Sequence, residues 1–199
     1  AILEKKGKLD LLKELQKYKE VHVHVVYQQE QLGDGHAIMQ AADWITGEHI
    51  AILFGDDLIA HEKTGLQQLT AAMDLVPEHD RRTSAMLALE NLPREDVYKY
   101  GIIDPGTRDG RLVRVKGLVE KPKPEDAPST LGIVGKYIIP HSTFDILPTV
   151  TSGHGGEIRL IDALIAQKDM IHIHGWEFEG QRLDTGRPDG YKEAVRVLG

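Results

Sequence analysis

The chain contains no cysteine. Disulfides, thiolate metal sites and cysteine nucleophiles are thereby excluded. No apolar run approaches the ~18 residues of a membrane span, and no signal-peptide pattern is visible. Positive charge is in short supply: 24 basic residues stand against 31 acidic ones, a net charge of −7. That balance draws a chain neither to nucleic acid nor to an anionic membrane. Any phosphate site has to be local, built from a few Lys or Arg side chains, backbone N–H groups or a metal. There is no internal repeat, low-complexity segment or linker. One cytoplasmic domain over residues 1–199 is expected, long enough to bury a sizeable core. The chain opens on Ala1 rather than methionine, which suggests a processed product or a fragment.

The stretch that organises what is present is HIAILFGDDLIA, residues 49–60. Ile50 to Phe54 is a short apolar run, suited to a strand buried on both faces of a helix-covered parallel sheet. It ends in Gly55-Asp56-Asp57. Ligands of open α/β sheets bind at the carboxyl ends of strands, and carboxylates there suit Mg²⁺. A polar turn capping the next segment is the plainer reading.

Residues 2–19 have the spacing of an amphipathic helix interrupted by Gly7. Val21 to Gln28 alternates like a strand, which puts His22 and His24 on one face. His172 and His174 repeat that spacing. Either pair could bind a metal, although a solvent-facing strand surface is commoner. Gly33 and Gly35 precede a helix expected over 36–44, whose N-terminus could meet a nucleotide; a plain turn is the alternative. A helix over 65–74, ended by Pro77, and a buried strand over 83–89 complete a strand–helix alternation typical of a doubly wound sheet.

Residues 100–122 look like a hairpin, with turn signals at Pro105-Gly106 and Asp109-Gly110. Glu120 and Lys121 close its second strand. Adjacent residues of an extended chain point to opposite faces unless it twists or bulges, and such pairs are commonly solvated surface. Leu131 to Ile139 is a further strand, where Gly132 and Gly135 mark a close approach or a bulge. A short helix over 141–147, a flexible loop over 153–156, an amphipathic helix over 157–167 and a strand over 170–178 follow. Asp184 lies in a turn before a last helix, either facing Asp56 across a metal or capping that helix.

In order along the chain come Asp56 after its apolar run, YGII at 100–103, VEKPKPEDAPS at 119–129, LGIVGKYII at 131–139, GGEIRLIDAL at 155–164 and GQRLDTGRPDGY at 180–191. This succession resembles the nucleotidyltransferase family that makes nucleoside-diphosphate sugars. Within it, the bacterial UTP–glucose-1-phosphate uridylyltransferases are the most similar branch. The resemblance covers nearly the whole chain. It implies an α/β fold, a Rossmann-like mixed sheet flanked by helices, and Mg²⁺-dependent in-line attack of glucose 1-phosphate on UTP with release of pyrophosphate. It implies roles too: Gln28 and Gly33 at the uracil edge, Asp56 and Asp184 as the Mg²⁺ carboxylates, Gly101, Glu120 and Gly135 at the glucose hydroxyls, and Lys121 at the sugar phosphate.

Two departures stand out. The family usually has Leu-Pro-Asp-Asp where this chain has Phe54-Gly55-Asp56-Asp57, although glycine also occurs in the thymidylyl cousins. The family's Gly-x-Gly-x-Arg loop with its following Lys-Pro, which cradles the triphosphate, is not in this sequence. An N-terminally truncated domain, inactive or nearly so unless that unit is supplied, is therefore expected. The alternative is a non-catalytic sugar-phosphate-binding or assembly protein derived from the family. A sheet without its first strand would expose an edge, so a homo-oligomer is expected.

Overall fold

A computed structural model describes residues 2–16, 18–150 and 156–199. The flexible loop expected over 153–156 lies outside these residues apart from Gly156. The N-terminal segment forms two helices, α1 over Ile2–Lys5 and α2 over Leu9–Gln16. They part at Gly7, whose φ of +66° is a left-handed conformation open to glycine without steric cost. The strand expected over Val21–Gln28 does not form. Alternation selects a strand only where a neighbour supplies the ladder, and among the described residues none pairs with this segment. Val21, Val23, Val25 and Tyr27 stand exposed, and His24 stacks on Trp44 with ring centroids 4.0 Å apart.

Helix α3, Asp34–Met39, is followed by a 3-10 turn over Ala42–Trp44. Strands β1, His49–Leu53, and β2, Asp57–Ala60, flank the Gly55-Asp56 turn. Helix α4 spans Gly65–Met73 and opens with a reciprocal capping box between Thr64 and Gln67. A short α5, Glu78–Arg81, leads into β3, Ser84–Asn91. The hairpin consists of β4, Gly101–Asp109, and β5, Leu112–Glu120. Strand β6, Leu131–Pro140, precedes α6, Thr143–Ile146. Helix α7, Leu160–Ala166, then β7, His172–Glu177, β8, Gln181–Asp184, and α8, Pro188–Leu198, complete the chain.

Six strands form one mixed sheet in the order β1-β6-β3-β7-β5-β4, and β2 pairs with β8 in a separate ribbon. Strands β1 and β3 run the same way, each antiparallel to the β6 that lies between them, and β3 is parallel to β7. This is the mixed, helix-flanked sheet that the family resemblance implies: β1 and β3 keep the common direction of strand–helix units, and the later strand β6 inserts between them, antiparallel to both. The side chains of β3 alternate between two cores. Ala85, Leu87 and Leu89 face a cluster with Ile139, Leu160 and Leu164, whereas Met86 and Ala88 face Leu69, Ala72 and Met73 of α4.

Three further expectations change. Strand β1 is not buried on both faces. It pairs only with β6 among the described strands, and Leu53 is 48% exposed; β6 is the strand buried from end to end. Pro105-Gly106 is no turn but lies inside β4, where the register with β5 slips; a residue without an N–H is accommodated at such a bulge. The reversal itself is at Gly110, with φ +56°. Finally, α7 starts three residues later than its periodicity suggests. Ile158 donates its N–H to Leu32 O at 2.7 Å and accepts from Gly35 N–H at 2.9 Å, so its backbone is committed to the loop before α3.

Candidate active site

The carboxyl ends of β1 and β3 converge with the start of β4, the end of β5 and the first half of β6. Between them lies a cleft of about 200 Å³, lined among others by Phe54, Asp57, Gly101, Glu120, Lys121 and Gly135. Four of the eight residues singled out from the sequence therefore meet there: Gly101, Glu120, Lys121 and Gly135. Larger cavities of about 390 and 420 Å³ lie elsewhere. Neither gathers these groups, and size alone does not make a site.

Glu120 and Lys121 share the cleft because the backbone reverses between them. Lys121 has φ 47°, the one positive value outside glycine among the described residues. Its N–H donates to Tyr100 O at 3.0 Å, and its ammonium lies 3.6 Å from Glu120 Oε1. Gly101 pairs with Glu120 across the hairpin. A β-carbon on Gly101 would sit 2.5 Å from Ile161 and 3.2 Å from Glu120 Oε2, so glycine keeps that wall of the cleft open. At Gly135 a β-carbon would meet Phe54 Cβ at 2.6 Å and Asp57 Oδ2 at 2.8 Å.

Asp56 and Asp184 meet outside the cleft lining, at the β2–β8 ribbon. A β-carbon on Gly186 would lie 3.0 Å from Asp56 Oδ2 and 3.3 Å from Asp184 Oδ1, which puts both carboxylates around one small residue. Thr185 ties the turns together by donating to Asp56 O from its N–H at 2.7 Å and its Oγ1 at 3.0 Å. Asp184 accepts from Gly186 N–H at 3.1 Å; the cap it makes is on its own turn. Two hard oxygen donors at a solvent-open turn fit Mg²⁺, which keeps several waters of its own. No group of three His, Cys, Asp or Glu side chains placed to hold a metal occurs among the described residues. His172 and His174 instead receive Arg114, whose Nη2 and Nη1 lie 2.6 and 3.2 Å from their ring nitrogens.

Between the two clusters stands Arg182, which sequence reasoning missed. Its Nε and Nη2 both reach Asp57 Oδ1 at 2.6 Å. Its Nη1 donates to Tyr100 Oη at 2.8 Å and lies 3.5 Å from Glu90, and Nη2 is 3.9 Å from Asp184. Burial pushes the Glu90 carboxyl up, and Arg182 partly offsets this. Asp57, the second acid of the organising stretch, is thus a structural anchor that also accepts from Gly135 N–H at 3.0 Å. Lys136 braces the same turn from behind. Its ammonium donates to the carbonyls of Phe54, at 2.8 Å, and Asp57, and burial lowers its pKa.

Gln28 and Gly33 form a third group. Gln28 Nε2 donates to Gly33 O at 2.9 Å and approaches His36 Nδ1 at 2.9 Å. Gly33 has φ +100°, and its β-carbon would lie 2.5 Å from Ile158 O; glycine is needed there for both reasons. Asp34, also missed, links this loop to the cleft. Its Oδ1 accepts from Leu160 N–H at 2.9 Å, capping α7 from a distance, and burial holds its carboxyl above the usual range. Arg159 completes the wall, 3.5 Å from Glu120 Oε1. Arg159 and Arg182 lie within the quoted motifs, but their reach to Glu120 and Asp57, like that of Asp34 to Leu160, spans distant parts of the sequence and is set by the fold.

The family described as nucleotidyl transferase matches residues 1–198. The UTP–glucose-1-phosphate uridylyltransferase of Bacillus subtilis is 38% identical over 190 residues, 95% of this chain and 63% of that protein. Its namesake in Staphylococcus epidermidis is 37% identical over 191 residues, 96% of this chain and 64% of that protein. The chain thus spans a little under two thirds of the length of these curated relatives. Among solved structures, a UDP-glucose pyrophosphorylase complexed with UDP-glucose matches with TM-score 0.85 and 32% identity, over 96% of this chain and 72% of that one. A UTP-bound enzyme from Acinetobacter baumannii matches with TM-score 0.80 and 30% identity, over 100% of this chain and 68% of that one.

Proposed function

The chain belongs to the nucleotidyl transferase family, and on that premise we propose that it serves the formation of UDP-glucose and pyrophosphate from UTP and glucose 1-phosphate. The observation that carries this reading is the Glu120–Lys121 pair turned into one cleft beside Gly101 and Gly135. Glu120 accepts hydrogen bonds from vicinal sugar hydroxyls. Lys121 is a mobile point charge for the sugar phosphate. Gly101 and Gly135 leave the walls flat enough for a pyranose ring. Gln28 and Gly33 present an amide and a backbone edge to the base of UTP.

Asp56 and Asp184 are the proposed holders of Mg²⁺, which neutralises charge on the phosphates when bound. The reaction joins an oxygen of glucose 1-phosphate to the α-phosphorus of UTP, breaks the bond to the β-phosphate oxygen and needs no covalent enzyme intermediate. The chain's residues contribute alignment and charge. We also propose that a second copy of the chain covers the edge of β1 that pairs with no other described strand; a clean monomer by light scattering would count against this.

Pyrophosphate release from UTP and glucose 1-phosphate, with and without Mg²⁺, tests the reading. Release that Asp56→Asn abolishes supports it. Glucose 1-phosphate binding without any release supports instead a sugar-phosphate-binding protein of the same descent.

A further inference from the structure

Lys121 is not the only cation at Glu120. Oε1 of that carboxylate lies 3.6 Å from Lys121 Nζ and 3.5 Å from Arg159 Nη1. The two cations are held very differently. Arg159 donates through Nε and Nη2 to Asp162 at 2.8 and 3.0 Å. This fork fixes the guanidinium plane, and the side chain is 19% exposed. Asp162 sits in the first turn of α7, whose start is pinned by Asp34. Lys121 has no other carboxylate partner among the described residues, and its side chain is 60% exposed.

We propose that Arg159 is the fixed counter-ion of Glu120, a positioning residue that holds the carboxylate in place when Lys121 swings to a ligand's phosphate. The proposal rests on the reading of the cleft as a sugar-phosphate site. Glu120 is 18% exposed. Removing the sole partner of so enclosed a carboxylate is costly, so without Arg159 the lysine would be tied to Glu120 and lost to the phosphate. With Arg159 in place, Oε1 stays paired while Lys121 moves. Oε2, which faces Gly101, remains free to accept from sugar hydroxyls. A planar, pre-organised guanidinium suits the fixed role and a flexible ammonium the mobile one.

The test is a double-mutant cycle read by calorimetry with glucose 1-phosphate, joined to a measurement that needs no ligand. R159Q is expected to weaken binding about tenfold on the wild-type background and less than about twofold on E120Q, because its effect passes through Glu120. R159K, which keeps the charge without the fork, falls between. In the ligand-free protein, acetylation of Lys121 followed by mass spectrometry is expected to slow about threefold in R159Q and to recover in R159Q/E120Q. Equal losses from R159Q on both backgrounds, or a Lys121 rate that R159Q leaves unchanged, would overturn the proposal. If wild-type protein fails to bind glucose 1-phosphate, the functional reading falls, while the acetylation rates still decide the role of Arg159.

Discussion

Lys121 folds back on its own sequence neighbour: with φ 47° it brings its ammonium to 3.6 Å from Glu120 Oε1. Two adjacent residues of a regular strand would point apart. A left-handed conformation costs a residue with a β-carbon ~1–2 kcal/mol, and such strain persists where surrounding structure enforces it, often at ligand sites. Lys121→Gly is therefore expected to leave stability unchanged or raise it by up to ~1 kcal/mol in urea unfolding. A clear loss of stability would mean that the lysine side chain, rather than the turn, holds this segment.

Arg182 answers Asp57, Glu90, Tyr100 and Asp184 at once. Its side chain is 11% exposed and that of Asp57 13%. Removing one partner of a buried pair leaves the other charge stranded, at a cost of ~3–5 kcal/mol. Arg182→Met is expected to destabilise the fold by about that much in urea unfolding, whereas Asp57→Asn, which keeps an acceptor for Gly135, should cost less. Equal and small effects from both substitutions would show that the network contributes little.

His174 titrates at about 4, held down first by burial and then by Arg114 and His172. An unfolded histidine titrates near ~6.5, so between these values the unfolded chain binds the extra proton. Stability is then full above about pH 6.5 and declines as pH falls toward 4. Because the ring is only partly buried, the loss from this group is put at ~1 kcal/mol after allowing for solvent screening. His174→Gln should flatten that portion of the stability–pH curve measured by thermal unfolding. A variant whose curve overlies the wild type would exclude His174 as its source.

Much of this architecture was legible locally. The apolar run ending in Gly55-Asp56-Asp57, the β4–β5 hairpin and the helix before Pro77 follow from periodicity and turn residues. What periodicity could not carry was partnership. Among the described residues Val21–Gln28 alternates but finds no neighbouring strand, and the apolar Ile50–Phe54 run pairs on one side only. The site divides likewise. The resemblance marked Gly101, Glu120, Lys121 and Gly135, which the fold gathers into one cleft. The roles of Arg182, which lies within a quoted motif, and of Asp34 were not legible, since their partners Asp57 and Leu160 are distant in sequence.

Whether Glu120 and Lys121 together hold a sugar phosphate is tested most directly by calorimetric titration with glucose 1-phosphate. Saturable binding is expected, weakened ~10–100-fold by Lys121→Ala as a charge-assisted contact is lost, with inorganic phosphate and glucose each binding far more weakly than the joined molecule. Absence of binding, or binding indifferent to Lys121, would contradict the account.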